Sequence, residues 1–252
     1  MSKQPRKSVV PAEVAARGQA ILAELHASAE PPPRSQRTRG LKRFNSADMI
    51  EEQMKECGHE MGGYVLYRNT YNSDADWKEF LVRLNAELEH TFELYNGKDI
   101  LEKFSLTVMD NKELFNAAST NDIRQHFQAW ASQNYLSEQP QAKDHDEHAV
   151  VRVEGSSRYR YAIYADAECL HSIVQGDVVA VNDGRWVKMI RSAWKQDLDD
   201  GEEPYEPLEG VTQYDVGWMK VELSSLVEFY EHGYDPNYWD RSYRRSPEIL
   251  SL

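Results

Sequence analysis

A long amphipathic helix directly after a short aromatic strand restricts the fold more than any other feature of this sequence. Ser73 is a typical N-cap residue, and apolar side chains follow it at steps of three and four, which places them on one helix face. They are Trp77, Phe80, Leu81, Leu84, Leu88, Phe92 and Tyr95. Gly97 is expected to end the helix in the left-handed conformation. We therefore predict a helix over residues 74–96, and the aromatic and β-branched run 64–71 before it predicts a strand.

The remaining patterns extend this alternation of strands and helices. Strands are predicted at 104–109, 159–164, 177–181, 185–190 and 218–223, and helices at 121–135, 166–175 and 225–231. The Asn-Asp-Gly sequence at 182–184 is typical of a hairpin turn. This order predicts an α+β fold, in which a mixed or antiparallel sheet carries helices on one face. A ferredoxin-like plait is one arrangement of that kind.

Charge divides the chain into two parts. Residues 1–45 carry nine basic and three acidic side chains, whereas residues 46–252 carry 20 basic and 39 acidic ones. We expect residues 1–58 to form a mostly flexible, basic N-terminal tail with one or two short helices. Residues 59–252 are expected to form a single acidic domain with an acidic insertion at 197–209. Such a domain repels nucleic acid and anionic membranes at long range, so neither is an expected partner.

Several features favour a location inside the cell. No run of about 18 apolar residues is present to span a membrane, and the first residues lack the apolar core of a secretory signal. Cys57 and Cys169 are the two cysteines, which excludes a disulfide scaffold. We therefore expect a cytoplasmic protein. The basic run from Arg34 to Arg43 leaves a nuclear location open.

Catalytic and metal-binding patterns are weak. The chain lacks a Gly-x-Ser-x-Gly nucleophile motif and a phosphate-binding loop. His145 and His148 stand among acidic residues, but in a polar loop that is typical of a solvated connector. We therefore predict no metal and no cofactor. The weak catalytic candidates are His171, Asp166 and Arg68, and a substrate pocket on this fold would be lined by Tyr64, Tyr67, Tyr161 and Trp218.

The segment 233–252, called the aromatic segment below, has the most unusual composition. Its candidate ligand- or partner-binding residues are Tyr238, Trp239, Tyr243, Arg244 and Arg245. Aromatic rings and arginines together are typical of interface anchors. Alternatively, the segment wraps its own domain and its rings fill a groove there. Ser46 and Ser246 follow arginines, as in minimal kinase sites.

One set of short motifs points to a family. It comprises Tyr-x-x-Tyr-Arg-x-Thr-Tyr at 64–71, Asp-Trp at 76–77 near the start of the long helix, Tyr-Arg-Tyr-x-Ile at 159–163, Asp-Val-Gly-Trp-Met at 215–219 and Tyr-Arg-Arg-x-Pro-Glu at 243–248. In this set the chain resembles uncharacterised proteins of filamentous ascomycete fungi over residues 62–249. The resemblance implies no known activity or catalytic residue. It suggests a link to specialised-metabolite pathways, near which some such proteins are encoded.

These observations leave two functions open. The first is a non-catalytic interaction or small-ligand-binding protein, whose partner is another protein or a small organic ligand. The second is a cofactor-independent enzyme that acts on a small organic molecule. Because α+β folds host both kinds of function, fold class does not decide between them.

Overall fold

A mixed β-sheet organises the computed structural model, which describes residues 16–21, 23, 45–142, 156–175, 184–196 and 204–252. In this part of the chain the sheet has six strands in the order β2-β1-β3-β4-β5-β6. The strands are β1 Val65–Arg68, β2 Thr107–Met109, β3 Tyr161–Ala165, β4 Trp186–Arg191, β5 Trp218–Glu222 and β6 Ile249–Leu250. The helices are α1 Ser46–Cys57, α2 Asp74–Leu94, α3 Lys98–Leu101, α4 Lys112–Phe115, α5 Thr120–Glu138, α6 Ser157–Arg160, α7 Ala167–Gln175, α8 Leu226–His232 and α9 Tyr238–Ser242, with a 3₁₀ turn at Leu223–Ser225.

Strand β1 lies inside the sheet and is parallel to both of its neighbours. Val65 is in register with Thr107 on β2 and with Ala162 on β3. Beyond β3 the sheet becomes antiparallel through β4 and β5, and β6 then runs parallel to β5. The predicted α+β class and mixed sheet are confirmed. The observed order differs from that of a ferredoxin-like plait, whose neighbouring strands are antiparallel.

Helices cover both faces of the sheet. One face carries Leu66, Ile163 and Met189, which pack with the apolar side of α2 and with α1, α7 and α8. The opposite face carries Val65, Ala162 and Ile190, which pack with Ile123 and Phe127 of α5. The expectation of helices on one face was therefore wrong for α5. Its position follows from the sheet order, because α2 connects β1 to β2 in one direction and α5 connects β2 to β3 in the opposite direction. Right-handed connections that run in opposite directions lie on opposite faces of a sheet.

Side-chain caps begin the main helices where the sequence predicts them. The Ser73 hydroxyl accepts a hydrogen bond from the Asp76 N–H at 3.1 Å at the start of α2. Ser119 and Asp122 form a capping box at the start of α5. Asn45 and Asp48 form another at the start of α1. Each cap satisfies backbone N–H groups that have no partner within the helix.

Helix α1 belongs to the folded domain rather than to a tail. Ala47 and Ile50 are fully buried in the core cluster that contains α2, so the domain begins before residue 59, the boundary that the sequence predicts. Ser46 is buried at the first position of this helix. Upstream, residues 16–21 and 23 are helical. Among the described residues, no helix is both long and apolar enough to cross a membrane.

Candidate functional site

The strand order reverses between β1 and β3. These strands are parallel, with Arg68 in register with Ala165, so their carboxyl ends lie at the same edge of the sheet. The chain leaving β1 continues through α2 to β2 on one side, whereas the chain leaving β3 continues through α7 to β4 on the other. Ligand sites of open α/β sheets commonly lie outside the carboxyl ends of parallel strands.

A crevice of about 210 Å³ lies at this point. One wall is the loop between β1 and α2 together with the first turn of α2, and the other wall is α7. The first wall is polar and the second is mixed. The lining residues are Thr70, Asn72, Ser73 and Asp76 on the first wall and Ala167, Leu170, His171, Val174 and Gln175 on the second. This space is called the crevice below.

Arg68 fixes the polar wall from beneath. Its guanidinium donates to the Thr70 carbonyl at 3.1 Å, to Asp110 at 3.3 Å and to Asp74. It also lies 4.3 Å from the centre of the Tyr71 ring and 5.2 Å from that of Trp77, as in a cation–π contact. Because Arg68 is adjacent, the pKa of the Asp74 carboxyl is held below its usual range. Arg68 thus ties the loop to the first turn of α2.

Asp166 holds the second wall in place. Its carboxylate accepts the Cys169 N–H at 2.9 Å, which caps the start of α7. The other oxygen pairs with the Lys188 ammonium at 2.7 Å. Lys188 is 7 % exposed, and its ammonium lies 4.2 Å from the centre of the Trp218 ring. Burial raises the pKa of the Cys169 thiol, as expected for a core cysteine rather than a nucleophile.

The three weak catalytic candidates lie in one region but differ in position. His171 lines the crevice. Arg68 is buried and holds one wall, and Asp166 caps the helix that forms the other. The four aromatic residues expected to line a pocket are all buried in the sheet, at most 5 % exposed, and none lines the crevice. They are Tyr64, Tyr67, Tyr161 and Trp218. The prediction of an aromatic pocket was wrong, because Tyr64 and Tyr161 are buried on one face of the sheet and the other two rings on the opposite face.

The aromatic segment folds back onto its own domain, as the alternative interpretation required. Trp239 is fully buried and stacks on Tyr161, with 5.7 Å between ring centres, and Tyr238 and Tyr243 are buried beside it. Arg245 donates to the carbonyls of residues 206, 211, 213 and 214. Arg244 donates to carbonyls within its own turn. These rings present no surface to a partner in this structure, and a binding role for the segment stays a prediction.

Sequence reasoning missed most of the crevice. In the sequence, the residues of the first wall are recognisable only as the end of a strand and a helix cap; they are Thr70, Asn72, Ser73 and Asp76. The second wall faces them only because β3 lies beside β1. The described residues contain no group of three or more His, Cys, Asp or Glu side chains placed to hold a metal ion. The His145 and His148 cluster and the predicted strand 177–181 lie outside the described residues.

Comparisons with protein-family models, curated proteins and solved structures gave no match to this chain. The resemblance to fungal proteins stays a prediction.

Proposed function

We propose that this protein binds a small organic molecule in the crevice between the β1–α2 loop and α7. The observation that carries the proposal is the position of this crevice at the carboxyl ends of the adjacent parallel strands β1 and β3. Sites with both apolar surface and a few convergent polar groups are typical of small-molecule recognition. Leu170 and Val174 supply apolar surface, and Thr70, Asn72 and Gln175 supply hydrogen-bonding groups.

The size of the crevice limits its ligand. At about 210 Å³ it is smaller than the sites of drug-sized molecules, which occupy about 300–1,000 Å³. A ligand of the size of a simple amino acid or a single aromatic ring with a short side chain fits this volume better than a nucleotide does. This proposal takes up the ligand-binding half of the expectation from the sequence. It moves the site, because the sequence predicts both ligand and partner binding on the aromatic segment, whose rings are buried.

Nuclear magnetic resonance (NMR) amide shifts provide the test. A library of small fragments is titrated into the ¹⁵N-labelled full chain, and binders are expected to shift the amides of residues 70–76 and 167–175. Ala167→Trp, at the exposed edge of the crevice, should abolish these shifts by filling the space. Ala129→Trp is the matched control, because Ala129 is an exposed helical alanine on α5 and should leave binding intact. Shifts confined to other residues, or equal binding by both variants, would refute the proposal.

The alternative, a cofactor-independent enzyme, rests on His171. Imidazole can take up and release a proton near neutral pH, and His171 lines the crevice. If a fragment is converted during the titration, His171→Gln should slow the conversion by at least 100-fold while changing ligand affinity less than tenfold. Equal conversion by both proteins would exclude His171 as the acid or base.

A further inference from the structure

We infer that the ligand of the crevice carries a protonated amine, which Asp76 recognises. This inference rests on the proposed function and adds the chemical class of the ligand. Among the described residues that line the crevice, Asp76 is the one with a carboxylate, and no lysine or arginine lines it. No described basic side chain pairs with Asp76.

Two buried cations close to the walls of the crevice are already engaged within the protein and therefore cannot serve an anionic ligand. Arg68 is 7 % exposed and binds both Asp74 and Asp110 from below the loop. Lys188 is equally buried and is held between Asp166 and Glu209. Neither of these cations pairs with Asp76, whose side chain is exposed and lines the crevice. An amine entering the crevice would meet an unpaired carboxylate, whereas an acid would be repelled.

The first turn of α2 does not reverse this preference. A helix amino terminus can bind anions through its free N–H groups and its dipole. Here Ser73 already accepts the Asp76 N–H, and Asp76 places its own carboxylate in that turn. Residues 46–252 are also strongly acidic as a whole, which attracts cations to the surface at low ionic strength.

The shape of the opposite wall completes the description of the ligand. Leu170 and Val174 form an apolar strip along α7, so a hydrocarbon body can lie against them while the amine faces Asp76. Gln175 and Asn72 can bind further polar groups. The expected class is a small primary amine with an alkyl or aryl body, rather than a polyamine, a phosphate ester or a carboxylic acid.

Three probes with the same aryl body separate charge from shape. Phenethylamine, phenethyl alcohol and phenylacetate are titrated into the ¹⁵N-labelled full chain at low ionic strength, and amide shifts of residues 70–76 and 167–175 report affinity. The amine is expected to bind at least tenfold more tightly than the alcohol, and phenylacetate more weakly than either. Asp76→Asn should remove the advantage of the amine over the alcohol. Glu113→Gln, an exposed acid in the first turn of α4, is the matched control and should preserve it.

Each outcome decides the inference. If the alcohol or phenylacetate binds as tightly as the amine, or if Asp76→Asn keeps the preference, the assignment of an amine is overturned while the ligand site stands. If none of the three probes shifts the crevice amides but other fragments do, the assignment is also overturned and the site again stands. If no fragment of any class binds there, the proposed function fails as well.

Discussion

Replacing Trp239 with alanine tests whether the aromatic segment is part of the core. The Trp239 ring is fully buried, and its indole N–H donates to the Asp215 carboxylate at 2.8 Å. Removing a buried tryptophan side chain costs about 3–5 kcal/mol through lost burial and the remaining cavity. Burial raises the pKa of Asp215, because it removes water from the carboxylate. The charged form therefore depends on its few hydrogen-bond donors. We therefore expect the free energy of unfolding to fall by about 4 kcal/mol or more.

One further variant separates the hydrogen bond of Trp239 from the burial of its ring, and a second variant serves as a control. Trp239→Phe keeps an aromatic ring against Tyr161 but removes the N–H donor, so we expect a loss of about 1–3 kcal/mol, as for a hydrogen bond to a charged group. Leu136→Ala removes a large apolar side chain that is exposed on α5. This control should change stability by less than about 0.5 kcal/mol.

The assay is urea unfolding at pH 7, followed by far-UV circular dichroism because other tryptophans contribute to the fluorescence. At roughly 2–4 °C per kcal/mol for a domain of this size, Trp239→Ala should also lower Tm by about 10 °C. If the free energy of unfolding of this variant lies within about 1 kcal/mol of the wild-type value, Trp239 is not part of the core. The aromatic segment then becomes a candidate partner anchor again.

The remaining predictions concern a buried acid and a close backbone approach. Glu228 accepts a hydrogen bond from the Tyr95 hydroxyl, and its second oxygen has no partner among the described residues. Burial raises its pKa from 4.5 to about 7, so the folded state holds a proton that the unfolded chain releases. The free energy of unfolding should therefore fall by up to about 3 kcal/mol as pH rises from 4.5 to about 7. In urea unfolding at pH 8, Glu228→Gln should recover most of this loss. An unfolding midpoint equal to that of the wild type would contradict the prediction. Gly63 has a φ of +97°, and an added Cβ would lie 2.1 Å from the Ser105 carbonyl oxygen, so Gly63→Ala should cost more than about 3 kcal/mol in the same assay. Gly184→Ala, with a positive φ but open space around it, should cost only about 1–2 kcal/mol; equal losses would refute the predicted clash.

The helices could be predicted because their signals are local. The predicted helix over 74–96 corresponds to α2, Asp74–Leu94, and the predicted helix over 121–135 corresponds to α5, Thr120–Glu138. In both cases a capping residue and an apolar repeat within one segment define the element. Helix periodicity shows that α5 has a buried face, but it does not show which face of the sheet covers it. This is why its location was predicted wrongly.

The crevice depends on information that no single segment contains. In the sequence, the first wall resembles an ordinary helix cap and the second an ordinary short helix. The pairing of β1 with β3 brings the two walls together. His171 could be noted as a polar residue off the apolar face of α7, yet nothing local identifies Asp76 as its neighbour across a crevice. The aromatic segment posed a different difficulty, because the same rings suit an exposed anchor and a buried one.

The position of β1 has a consequence for synthesis on the ribosome. The four residues of β1 are buried between two parallel partners, and its pairing with β3 joins Val65 to Ala162. At a translation rate of about 5–20 residues per second, β3 follows β1 by roughly 5–20 s. During that time β2 can pair with one edge of β1, but the other edge stays open, a state prone to aggregation. Folding of this domain in the cell should therefore depend on chaperones that bind extended apolar segments.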